Sequence, residues 1–151
     1  MKFLDSNVIL YAYLRPKQNI TLDERIKWRK KRSQEIIKRI EEKKETVLIS
    51  TVHLGEILNI LSKKVNKETS VLFLGKFLSF DNVEISQVSK RDYQKSLAIC
   101  LRYNLEPNDS LAIVIMEKYG CREIYTFDSD FKVVDIIEKP LLDQEDILFG
   151  K

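Results

Sequence analysis

Histidine and tryptophan occur once each in these 151 residues, cysteine twice, proline three times and glycine four times. One histidine (His53) and two cysteines (Cys100 and Cys121) cannot complete a Cys/His zinc site, and neither cysteine stands in a CxxC pair. The two thiols are expected to be buried and free. So little glycine and proline excludes a collagenous, linker-like or largely disordered chain. No apolar run approaches the ~20 residues that a membrane span needs. The longest candidate, Val71–Phe80, contains Lys76. The opening MKFLDSNVILYAYLRP carries Asp5 and no small-residue cleavage site, so it reads poorly as a signal peptide. A cytoplasmic chain with no membrane partner is the expectation.

A large excess of either charge is also lacking. Lys+Arg number 26 and Asp+Glu 23, a net of +3, too mild to identify a nucleic-acid partner. What is present is 44% hydrophobic and 32% charged residues, enough to close one core, so a single domain over residues 1–151 is expected. The charge is unevenly laid out. Residues 15–44 hold twelve Lys/Arg against five acids, a net of +7, which leaves −4 for the rest.

Periodicity and capping signals predict alternating strands and helices. Lys2–Asp5 is a short strand, and Ser6 caps a helix to about Leu14, stopped by Arg15-Pro16. Thr21–Lys44 reads as a long helix with a sparse apolar stripe, Thr46–Ser50 as a β-branched strand, and Thr51–Lys64 and Lys67–Phe80 as apolar helices. Val83–Ile85 is a strand, and Ser89 caps a helix over Lys90–Tyr103 with Leu97, Ala98 and Leu101 turned inward. Asn108 caps a helix over Asp109–Tyr119 closed by Gly120, Glu123–Phe127 is a strand, and Lys132–Ile136 reads as a last one. This order predicts an α/β chain: three layers, helices on both faces of a central, mainly parallel sheet of four or five strands.

In such sheets sites form outside the carboxyl ends of the strands. Acids fall there repeatedly: Asp5 in FLDSN, Glu56 in STVHLGEIL, Asp109 in PNDSLA, and Asp128 and Asp130 in TFDSDF. Each has an ordinary alternative. Asp5 and Asp109 can cap helices, Glu56 can be a helix-edge residue, and Asp130 a turn residue. Gathered together, the carboxylates repel and call for a cation. Oxygen ligands without His or Cys suit Mg²⁺ or Mn²⁺, which in pairs promote phosphodiester hydrolysis.

The ordered set FLDSN, STVHLGEIL, NDSLA and TFDSDF resembles the PIN-domain nucleases, and within them the VapC-like toxins of prokaryotic toxin–antitoxin pairs, from residue 3 to about residue 134. The resemblance implies a Mg²⁺- or Mn²⁺-dependent endoribonuclease acting on RNA, with a PIN-like α/β/α fold, a cognate antitoxin protein and a homodimeric state. It implies Asp5, Glu56, Asp109 and Asp128 as acidic metal ligands and catalytic groups. Ser6, Asn7, Thr126 and Asp130 would support them. The run Trp28, Arg29, Lys30, Lys31, Arg32 is open to two readings: an RNA contact with Trp28 stacking on a base, or a solvated helix face. The apolar faces of Val71–Leu78 and of Leu54, Leu58 and Leu61 are either core or an interface. His53 is expected to be structural or on the surface, with a substrate contact as the alternative. The rival readings are a PIN nuclease of RNA processing outside toxin–antitoxin systems and a catalytically silent RNA-binding module. A phosphoryl-transfer enzyme is a further rival, but Asp5-Ser6-Asn7 lacks the second acid of a haloacid-dehalogenase-like motif.

Overall fold

The computed structural model describes residues 1–14 and 23–150. Arg15, Pro16, Lys17, Thr21 and Leu22, which belong to the basic stretch and the helix start read above, lie outside the described residues. The elements run β1 (Lys2–Leu4), α1 (Ser6–Tyr13), α2 (Glu24–Glu41), β2 (Val47–Ser50), α3 (Thr51–Lys64) and α4 (Lys67–Ser79). They continue with β3 (Val83–Ser86), α5 (Lys90–Tyr103), α6 (Pro107–Lys118), β4 (Glu123–Tyr125), a short 3-10 helix (Ser129–Val133) and α7 (Pro140–Phe149).

The sheet has four strands in the order β3-β2-β1-β4, all parallel. Phe3 lies opposite Leu48 on one side and Ile124 on the other. Alternation along the strands sorts side chains to two faces. Leu4, Val47, Ile49 and Tyr125 join Val8, Ile9, Ile36, Ile57, Leu61 and Phe73 in a core under α1 to α4. Phe3, Leu48 and Ile124 join Ile113, Met116, Phe131 and Leu142 in a second core under α6. Central strand β2, Val-Leu-Ile-Ser, is buried throughout, as expected of a parallel strand covered on both sides. The chain travels from β1 outward to β3 and then returns to place β4 beside β1. That reversal puts a crevice beyond the carboxyl ends of β1 and β4.

Four features differ from the sequence reading. Asp5, not Ser6, is the N-cap of α1, accepting from the Ser6 N–H at 2.8 Å. Helix α6 begins at Pro107, not Asp109: proline suits a first helical position because its missing N–H has no partner to lose there. Asn108 therefore sits inside the first turn rather than capping it. The fifth strand is absent among the described residues. Of Lys132–Ile136 only Val134 is buried, the chain there leaves a 3-10 turn, and contact with β4 comes later, as an isolated parallel bridge from Glu138 to Glu123. Finally, α7 has no counterpart among the expected elements. Its signals are Pro140 at the first turn and Gly150 after the last, at φ +80°. The thiols are free as expected, but Cys100 is only half-buried. Gly120, at φ +64°, closes α6, and the Cys121 N–H reaches back to the Met116 carbonyl at 2.8 Å.

Candidate metal centre

The crevice collects the acids from four elements. Asp5 follows β1, Glu56 lies in α3, Asp109 lies in the first turn of α6, and Asp128 and Asp130 follow β4. The carboxylate oxygens of Asp109, Asp128 and Asp130 come within 4.8 Å of one another. Asp130, read from sequence as a supporting residue, thus stands in the tightest group, because Asp128 turns the chain there. The Asp130 N–H donates to Asp128 Oδ1 at 2.9 Å and starts the 3-10 helix.

Asp5 stands behind that group, buried, with both oxygens bonded. Oδ1 takes the Ser6 N–H, and Oδ2 takes the Thr126 hydroxyl at 2.7 Å. The Thr126 Oγ1 also accepts the Asp128 N–H at 3.0 Å, so one hydroxyl ties the acid of β1 to the acid of β4. Asn7 Oδ1 accepts the Phe127 N–H at 3.3 Å. Glu56 is held at both oxygens, by the Ser6 hydroxyl at 2.9 Å and by Asn108 Nδ2 at 2.6 Å. The Asn108 amide is free to reach it because Pro107, not Asn108, opens the helix. Asn108 is thus a site residue that sequence reasoning took for a cap; Glu106, an acid near Asp109, was missed altogether.

The fold holds these acids together against their mutual repulsion. Burial pushes the Asp5 carboxyl up to about 6, with Asp128 and Glu56 adding repulsion, although the bonds from Thr126 and Ser6 pull it down. Burial pushes Asp109 up to about 7, and Asp128, Asp5, Glu106 and Asp130 add to it. A donor set of carboxylates alone, destabilised by its own charge, fits a hard divalent cation. His53 is buried, with Nδ1 2.6 Å from Ser50 Oγ and its ring edge-on to Phe3. Burial holds its pKa below the ordinary value despite the Glu56 charge nearby.

The basic run is mostly engaged within the molecule. Arg29 pairs with Glu145, Arg32 with Glu35, and Lys30 Nζ meets the Leu14 carbonyl at 3.0 Å at the end of α1. Trp28 packs edge-on against Phe127 and Phe149, and Lys31 is exposed. The apolar helices divide: Leu54 and Leu61 are core, whereas Val71, Leu72 and Leu78 are exposed, and so are Leu97, Ala98 and Leu101 of α5, which the sequence reading turned inward.

Comparison with known proteins places this geometry in context. The PIN domain family matches residues 2–137. No curated protein sequence matches. Solved structures share the fold at low identity, three of them as follows. Mycobacterium tuberculosis VapC20, described as a Sarcin-Ricin loop cleaving toxin, is 19% identical, with TM-score 0.68 over 91% of this chain and 98% of its own. A toxin–antitoxin complex from Klebsiella pneumoniae is 14% identical, with TM-score 0.60 over 93% and 98%. VapBC2 from Rickettsia felis, bound to a DNA fragment from its promoter, is 20% identical, with TM-score 0.60 over 91% and 96%.

Proposed function

Because the chain belongs to the PIN domain family, we propose that it is a divalent-metal-dependent endoribonuclease and the toxin of a toxin–antitoxin pair acting in the cytoplasm. The convergence of the Asp109, Asp128 and Asp130 carboxylates in front of buried Asp5 carries this reading. The toxins and toxin–antitoxin complexes among its structural relatives support the second half.

Asp109, Asp128 and Asp130 would hold Mg²⁺ or Mn²⁺, with Asp5 and Glu56 completing the acidic wall. A bound divalent cation supplies charge neutralisation and Lewis acidity toward a phosphodiester. The chain's own residues orient the acids. Thr126 fixes Asp5 against Asp128, Ser6 and Asn108 fix Glu56, and Asn7 holds the backbone of the loop. The first turn of α6 adds the positive end of a helix dipole beside Asp109. The direct test is cleavage of a panel of RNAs in Mg²⁺ and in EDTA. Cutting in Mg²⁺ alone is expected; equal cutting in EDTA overturns the metal dependence.

Thr126→Val keeps the shape of the side chain and removes both of its hydrogen bonds. Groups that orient ligand carboxylates typically contribute about 10–100-fold in metal affinity. A Mn²⁺ affinity lowered by that range is expected by calorimetry, and an unchanged one removes Thr126 from the supporting set.

We further propose a homodimer. Tyr93, Leu97 and Leu101 recur every fourth residue on α5 and are 43%, 63% and 87% exposed, a contiguous apolar face of the kind that marks interfaces. Sedimentation at tens of micromolar is expected to give a dimer that Leu97→Glu/Leu101→Glu dissociates. A strict monomer in the unmodified protein sinks this.

A further inference from the structure

The basic run of α2 has a use inside the fold that neither of its two sequence readings anticipated. Arg29 Nε and Nη2 donate to Glu145 Oε1 and Oε2 at 2.5 and 3.1 Å, and Nη1 donates to the Tyr11 hydroxyl at 2.9 Å. The guanidinium also lies over the rings of Tyr11 and Phe127, 5.6 and 5.5 Å from their centroids. The pair is largely out of water, with the Glu145 side chain 5% exposed and that of Arg29 20%. Next to it, Trp28 is wedged between Phe127 and Phe149, 6.0 Å from each ring. A second ion pair holds α7 at the neighbouring residue: Lys132 of the 3-10 helix reaches Asp146 at 2.8 Å.

We propose that Arg29 and Glu145 are positioning residues, a latch that clamps α2 and α7 onto the Phe127 ring and so sets the path of the loop bearing Asp128 and Asp130. Strand β4 ends at Tyr125, so no ladder bonds hold this loop. Its backbone is tied on one side, through Asn7 and Thr126. On the other side it is the Phe127 ring that is gripped. A desolvated ion pair generally contributes little net stability over apolar residues of similar size. What it adds is a fixed bidentate fork. That favours a role in orientation over one in stability. The consequence for metal rests on the nuclease reading above; the latch itself does not.

Removing one partner alone leaves the other charge buried and risks unfolding, so the test uses Arg29→Met/Glu145→Met, which removes both charges and keeps the volume. A melting temperature close to the unmodified protein's is expected. Amide exchange at Phe127 and Asp128 should quicken at least about tenfold, and the Mn²⁺ dissociation constant should rise at least about tenfold. Phe127→Leu keeps the ion pair, and it should reproduce both changes. The two losses should not add when combined, since both act through one ring. A folded double variant with unmodified exchange and unmodified Mn²⁺ affinity overturns the latch, and so do additive losses. If the unmodified protein binds no Mn²⁺, the metal reading fails, while amide exchange still decides the latch.

Discussion

Asp5→Asn is expected to lower RNA cleavage in Mg²⁺ by at least the ~10–100-fold that loss of a group supporting a metal typically costs, and to make the metal-free protein more stable. Both halves follow from the surroundings of one carboxylate. Asn retains an oxygen for the Ser6 N–H, so the N-cap of α1 survives. The Thr126 hydroxyl can rotate to accept from the new amide. What is lost is the negative charge behind Asp109 and Asp128, and with it part of the attraction for a cation. What is gained is relief from burying that charge beside Asp128 and Glu56. A general loss of fold would lower activity and melting temperature together. Here they are expected to move in opposite directions, by the measure of cleavage rate and thermal melting in EDTA. Cleavage at the unmodified rate removes Asp5 from the site.

Divalent cation and pH act on the same charges, and their effects on stability have a definite sign. Asp5 is raised from 3.8 to about 6 and Asp109 from 3.8 to about 7. Between these limits the folded protein binds more protons than the unfolded chain, so stability from these groups is full below about pH 4. It is lost as pH rises through about 6 and 7. Other carboxylates, Glu45 and Asp92 among them, are lowered and give the opposite slope in acid. The clean reading is therefore a difference. In EDTA, Asp5→Asn should melt above the unmodified protein at pH 7, and the two curves should converge toward pH 4. Even ~1 kcal/mol of relief corresponds to about 2–4 °C in a chain of this size. Mn²⁺ at a hundred times its dissociation constant should add about 2.7 kcal/mol to the unmodified protein, and much less to the variant. A melting temperature that ignores both metal and pH across this window contradicts a mutually repelling acid cluster that binds a cation.

Much of this protein is legible locally. The strands β1 and β2, the helices α3 and α4, the Ser89 cap of α5 and the fall of acids at the carboxyl edge follow from apolar periodicity and from side chains that satisfy neighbouring backbone groups. These signals span a few residues, so the α/β order, the sheet edge where the acids gather and the identity of the candidate acids can be read without the fold. Tertiary structure decided the rest. Pro107 starts α6 two residues early and turns Asn108 toward Glu56, which lies in a helix 52 positions away in the chain. Phe131 and Val134 bury themselves against the second core, which replaces the expected strand with a 3-10 turn and brings Asp130 in beside Asp109 and Asp128. Arg29 finds Glu145 116 residues further on. Such pairings leave no local trace, because their free energy comes from burial and charge neutralisation that exist only once distant segments have met.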